Sequence, residues 1–174
     1  MSVKMIQERL DEYRCRSSLE EEQSLREITQ EILLAALGRT DFFQKAGFQG
    51  GTCLRIFHRL NRSSEDLDFA LQERNPSFNL RPYLDALEKE LTAYGCELEV
   101  DDRFRVGKTV RKAFTKDDSL GSLLKLNFKP ASGPMRKMRI KLEIDTNPPE
   151  GATFETRHLD FPFIPAITLT HSGL

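Results

Sequence analysis

From Met138 to Asp145 the chain alternates apolar and polar residues without a break. Met138, Ile140, Leu142 and Ile144 take one parity; Arg139, Lys141, Glu143 and Asp145 take the other. Period two is the signature of a strand with one buried face and one wet face. Such a strand needs strand neighbours and a layer over its apolar side, so it constrains the rest of the chain. Leu123 to Lys129 alternates well, Cys96 to Phe104 partly, and Asp66 to Leu71 reads as a further strand. The tail from His158 to Ile167 is apolar and broken by prolines, which suits an edge strand or a packed loop.

Helical periodicity lies earlier. Residues 3 to 14 suit a short helix. A stronger one carries Leu25, Ile28, Ile32 and Ala35 on one stripe, with Ser18 and Glu21 at capping-box spacing and Gly38 as its stop. Residues 45 to 51 read as a loop or short strand, and Thr52 to Arg59 as a short helix. A third clear helix runs from about Asn79 to Tyr94, with Asn79 as cap, Pro82 in the first turn and Gly95 beyond the end. Helices early and strands late predict an α+β fold: a mixed, mostly antiparallel sheet flanked by helices, not a doubly wound one.

The 174 residues are 39% hydrophobic and 30% charged, which suits one soluble domain. We divide it into N-terminal helices over 1–45 and a core over about 46–170. No apolar run approaches the ~18 residues of a membrane span, so no membrane partner is expected. The N-terminal MSVKMIQERLDEYR carries acids and lacks the apolar centre of a signal peptide. Cys15, Cys53 and Cys96 are too few and too scattered for a disulfide framework, so a cytoplasmic location is expected. Three histidines without HxxxH spacing argue against zinc enzymes and Ser/His/Asp hydrolases.

Charge is unevenly spread. Residues 103 to 141 hold twelve Lys or Arg against Asp117 and Asp118, a net of +10. The rest holds fourteen basic and twenty-five acidic residues, a net of −11. A basic segment in a neutral chain suits phosphate-rich ligands; solvated strand faces paired with acidic helices are the plainer alternative.

The chemistry concentrates in Gly50-Gly-Thr-Cys-Leu-Arg-Ile-Phe-His-Arg-Leu-Asn-Arg-Ser-Ser-Glu-Asp-Leu-Asp-Phe69. A glycine pair at a helix start lets backbone amides approach a phosphate. Arg55, Arg59 and Arg62 follow. Asp66 and Asp68, two apart on a strand, point to one face, roughly 7 Å apart at Cα. Two such carboxylates can share a divalent cation, and a third on a neighbouring strand would complete a site for phosphoryl transfer. Asp145 is the first candidate and Glu143, of the same parity, the reserve. Lys141, Lys125 and Lys129 lie on polar strand faces and could offset triphosphate charge. Ser63 and Ser64 suit a turn as well as a direct role, while His58 and Arg59 suit an exposed helix face. Cys53 reads as a small buried residue. A DxD pair also occurs in sugar-nucleotide glycosyltransferases, but only 65 residues precede Asp66, too few for their nucleotide-sugar domain.

The block from Gly50 to Phe69 resembles the glycine-pair and DLDF signature of the AbiEii/AbiGii nucleotidyltransferase toxins, within the DNA-polymerase-beta-like superfamily. The run Arg139-Ile-Lys-Leu-Glu-Ile-Asp-Thr-Asn-Pro-Pro149 resembles the family's second strand. The likeness covers about residues 25 to 170. It implies that Gly50, Gly51 and Thr52 hold nucleotide phosphate, with Arg55 in support and Ser64 just before the acidic pair. It implies Asp66 and Asp68 as metal-binding catalytic acids, and Lys141 with Asp145 or Glu143 at the third position. The implied reaction transfers a nucleotide from an NTP, with Mg²⁺ or Mn²⁺, to an acceptor such as tRNA. A cognate antitoxin is the implied protein partner. The family continues into a helical region bearing a lysine motif and an arginine–aspartate motif, and neither is found before Leu174. The alternative is therefore a truncated, non-catalytic module that binds NTP, RNA or a protein. An apolar surface at that junction could promote oligomerisation.

Overall fold

The computed structural model describes residues 3–58, 65–101, 119–129, 133–159 and 166–171. Helix α1 (Val3–Glu12) leads into α2 (Ser18–Gly38), then a single turn, α3 (Phe42–Lys45). Strand β1 (Ala46–Gln49) runs directly into α4 (Gly50–His58), followed by β2 (Leu67–Leu71) and α5 (Arg81–Ala93). Strands β3 (Cys96–Asp101), β4 (Ser119–Phe128), β5 (Arg136–Asp145), β6 (Phe154–Leu159) and β7 (Ala166–His171) complete the described elements.

The start of α2 differs from expectation by one residue. Ser17 caps the helix, its hydroxyl accepting from the Glu20 N–H at 3.2 Å, while the Glu20 carboxylate accepts from the Arg16 N–H at 2.7 Å. Ser17/Glu20 and Ser18/Glu21 are overlapping pairs with the same spacing, so spacing alone does not choose between them. On α5 the Asn79 side chain accepts from the Arg81 N–H at 3.1 Å. Gly95, just beyond the helix, adopts φ +74°, a left-handed conformation that costs glycine little.

The sheet has the order β3-β4-β5-β2-β1-β7-β6. The β3/β4, β4/β5, β2/β1 and β7/β6 pairs are antiparallel; β5/β2 and β1/β7 are parallel. This is the mixed, mostly antiparallel sheet that the patterning predicts. The apolar tail resolves into two strands: β6 at the edge and β7 inside the sheet beside β1. Residues 160–165 of that tail lie outside the described residues.

The alternation of β5 maps onto burial. Met138, Ile140, Leu142 and Ile144 are buried, and the intervening residues are exposed or half-buried. Their apolar faces share one core with Ile28 and Ile32 of α2 and Leu84, Leu87 and Leu91 of α5. Burying each such side chain contributes roughly 1.5–3 kcal/mol. The opposite parity is left to face a cleft, and the site lies on that side.

Candidate functional site

The cleft begins where β1 becomes α4. Gly50 adopts φ +80°, and a Cβ there would sit 2.7 Å from Oδ2 of Asp68. Only glycine meets both conditions without strain. The consequence is that the Asp68 carboxylate lies directly against the backbone at the start of a helix. Gln49 is paired with Asp68 across β1/β2, and Glu143 stands beside it across the parallel β2/β5 pair. That pairing sets the Asp68 and Glu143 backbones about 4.8 Å apart. Asp145, two residues on, is opposite Ala70. Gln49, Gly50, Asp68, Ser119, Glu143 and Asp145 all line one open cleft of about 310 Å³.

The electrostatics follow from this crowding. Burial, then the Glu143 and Asp66 charges, push the Asp68 carboxyl up to about 6, against a smaller opposing pull from Lys141. Asp66 is also raised, mainly by burial, with Lys141 opposing. Lys141 donates to Glu143 across 2.9 Å, and that bond raises its own pKa. Lys141 therefore sits amid three carboxylates and offsets part of their repulsion.

Other candidates take different positions. Asp66 precedes β2 by one residue, although its charge is felt at Asp68. Thr52 is fully buried, and its hydroxyl donates to the Asp66 carbonyl, so this side chain fastens α4 to the run into β2. Arg55 turns away from the cleft, its guanidinium meeting Glu27 at 3.2 Å and Gln30 at 2.8 Å on α2. Gly51 occupies the first turn of α4. Asp145 accepts from the Asn147 N–H at 2.9 Å, shaping the turn after β5. Cys53 is buried, and burial pushes its thiol up to about 12, so it is not a nucleophile. Ser63, Ser64, Arg59, Arg62 and residues 103–118 of the basic segment lie outside the described residues. Gln49 and Ser119 were missed in the sequence. Gln49's signal is its position immediately before the glycine pair; Ser119 carries none.

Among the described residues no group of three or more His, Cys, Asp or Glu is disposed to hold a metal ion. The donor set still fits Mg²⁺ or Mn²⁺ arriving with a nucleotide. Mg²⁺ is usually held by one or two carboxylates plus substrate phosphates rather than by a protein-only cage. Asp68 and Glu143 supply the carboxylates, and Asp68 stands against Gly50 at the start of α4. No helix among the described residues is long and apolar enough to cross a membrane.

Fold and cleft together define an α+β protein with a glycine-edged, acidic cleft on a mixed sheet. The family model described as "Nucleotidyl transferase AbiEii toxin, Type IV TA system" matches residues 32–171, and the chain belongs to this family. Among solved structures it is similar to JHP933 from Helicobacter pylori, at 20% identity and TM-score 0.49, over 78% of this chain and 48% of that one. It is also similar to a "putative nucleotidyltransferase" from H. pylori, at 19% identity and TM-score 0.47, over 82% of this chain and 52% of that one. The chain thus spans about half the length of these structures. No curated protein matches it.

Proposed function

We propose that this chain is a metal-dependent nucleotidyltransferase toxin that moves a nucleotide from an NTP to an acceptor hydroxyl, with tRNA as acceptor. The observation that carries the reading is the contact of Gly50 with Asp68, with Glu143 alongside, in one cleft. The amides of Gly50 and Gly51 at the start of α4 suit a phosphate. Asp68 and Glu143, with Asp66 close by, suit the cation. When bound, Mg²⁺ or Mn²⁺ neutralises phosphate charge. Lys141 adds a fixed positive charge, and Asp145 borders the entry. The acceptor oxygen attacks the α-phosphorus, the bond to the β-phosphate breaks, pyrophosphate leaves, and a cleft carboxylate takes the acceptor proton.

An RNA acceptor is supported by a second cleft between α2 and the β4/β5 pair. Lys125, Lys137 and Arg139 line this cleft of about 520 Å³ with Arg26, Glu22, Glu65 and Glu99. Lys125 is paired with Glu99 and Asp101, and Arg26 with Glu22 and Glu65, which among the described residues leaves Lys137 and Arg139 to meet phosphates. The reading also takes residues 1–174 as one domain, a cognate antitoxin as protein partner and the cytoplasm as compartment.

A non-catalytic module that binds NTP or RNA is the second reading. Equilibrium dialysis with each NTP, with and without Mg²⁺ or Mn²⁺, tests the site itself. Binding that requires the cation and is lost in D66A/D68A supports both readings against an unrelated cleft. Cation-independent binding that survives D66A/D68A refutes the assignment.

A further inference from the structure

Arg55 leaves the cleft for a reason that the catalytic reading does not use. Its side chain is 13% exposed and bridges Glu27 and Gln30, so α4 is fastened to α2 by a partly buried charge-assisted bond. Glu27 also accepts from the Tyr13 hydroxyl at 3.2 Å, which brings the segment after α1 into the same network. One residue away on α2, Arg26 meets Glu65 at 2.8 Å, immediately before Asp66. Arg26, Glu27 and Gln30 lie at neighbouring positions on one side of a helix. They hold residue 55 on α4 and residue 65 just before β2. All three precede residue 32, where the family match begins, whereas both residues they hold lie within it.

We infer that the first half of α2 is a two-point clamp on the nucleotide site, in which Arg55 and Glu27 are positioning residues that set the glycine-pair end of α4 against Asp68. The clamp rests on the nucleotide-site reading for its function, but not for its mechanics. A loose α4 would move the Gly50 and Gly51 amides relative to Asp68. Losing one arm of a guanidinium fork removes orientation even where the charge remains, because an ammonium is a point donor.

The test uses the full chain, with R55K and E27Q made separately so that one folded variant suffices. Amide hydrogen exchange without nucleotide reads the mechanics. The clamp predicts exchange about tenfold faster over Gly51–Leu54, in line with one lost charge-assisted bond, with β2 and β5 unchanged. Nucleotide titration reads the function: an NTP KM raised severalfold with kcat held within about twofold. Unchanged exchange over Gly51–Leu54, or an equal rise through β2 and β5, overturns the clamp. If the unmodified chain binds no NTP, the nucleotide reading fails, while exchange still decides the mechanics.

Discussion

The carboxylate cluster carries a stability cost that can be measured without any substrate. A group whose folded pKa lies above its unfolded value gains protons on folding, so stability falls as pH rises through the interval between the two. For Asp68 that interval runs from the usual carboxylate range up to about 6. Holding a carboxyl near 6 instead of ~3.9 corresponds to roughly 3 kcal/mol. The group is only about half buried, and solvent screening leaves ~1.5 kcal/mol of this. The substitution D68N removes the charge and keeps the shape. Above pH 7, in chelator, it raises stability by ~1.5 kcal/mol, about 3–6 °C in Tm for a chain of this size. At pH 4.5 most of that gain disappears, because the native carboxyl is then largely protonated. Mg²⁺ at neutral pH narrows the gap by offsetting the same repulsion. Thermal melts of both proteins at pH 4.5 and pH 8, with and without Mg²⁺, give the full comparison. A gap that is equal at the two pH values, or a variant less stable at pH 8, refutes the electrostatic account of the cleft.

Gly50→Ala introduces both a left-handed alanine and a Cβ 2.7 Å from Asp68 Oδ2; a loss of about 2–3 kcal/mol in urea unfolding, with loss of NTP binding, is expected. Thr52→Val removes the hydroxyl bond to the Asp66 carbonyl, costing about 1–2 kcal/mol, and Thr52→Ser restores most of it. Glu143 stands beside Asp68 whereas Asp145 faces Ala70, so E143Q lowers transfer by about 10²-fold or more and D145N by far less; a larger loss in D145N reverses the order. Leu142→Ala, in the fully buried row of β5, costs about 2–5 kcal/mol by chemical denaturation.

The elements were legible where one periodicity ruled them. β5 shows its two faces in the sequence because one row is buried and the other is exposed or half-buried along most of its length, as in its neighbour β4. The start of α2 was less so, since two serines compete for one cap. The site was legible as residue types but not as geometry. Glycine spacing marks the start of α4, yet the phase of the helix sends Arg55 back to α2 and Thr52 into the interior. Glu143 and Asp145 share a face, and only the parallel register of β2 on β5 sets Glu143 beside Asp68. That register joins residues 75 positions apart, as Asp68 and Glu143 are, and no local pattern encodes it. Gln49 and Ser119 reach the cleft by the same kind of long-range pairing.

The most direct measurement is label transfer. The chain is incubated with Mg²⁺, total tRNA and each NTP labelled at the α-phosphate, beside D66A/D68A. The account predicts label on RNA with at least one NTP, absent in the double variant. No label from a protein that binds Mg²⁺–NTP, or label that persists in D66A/D68A, would contradict it.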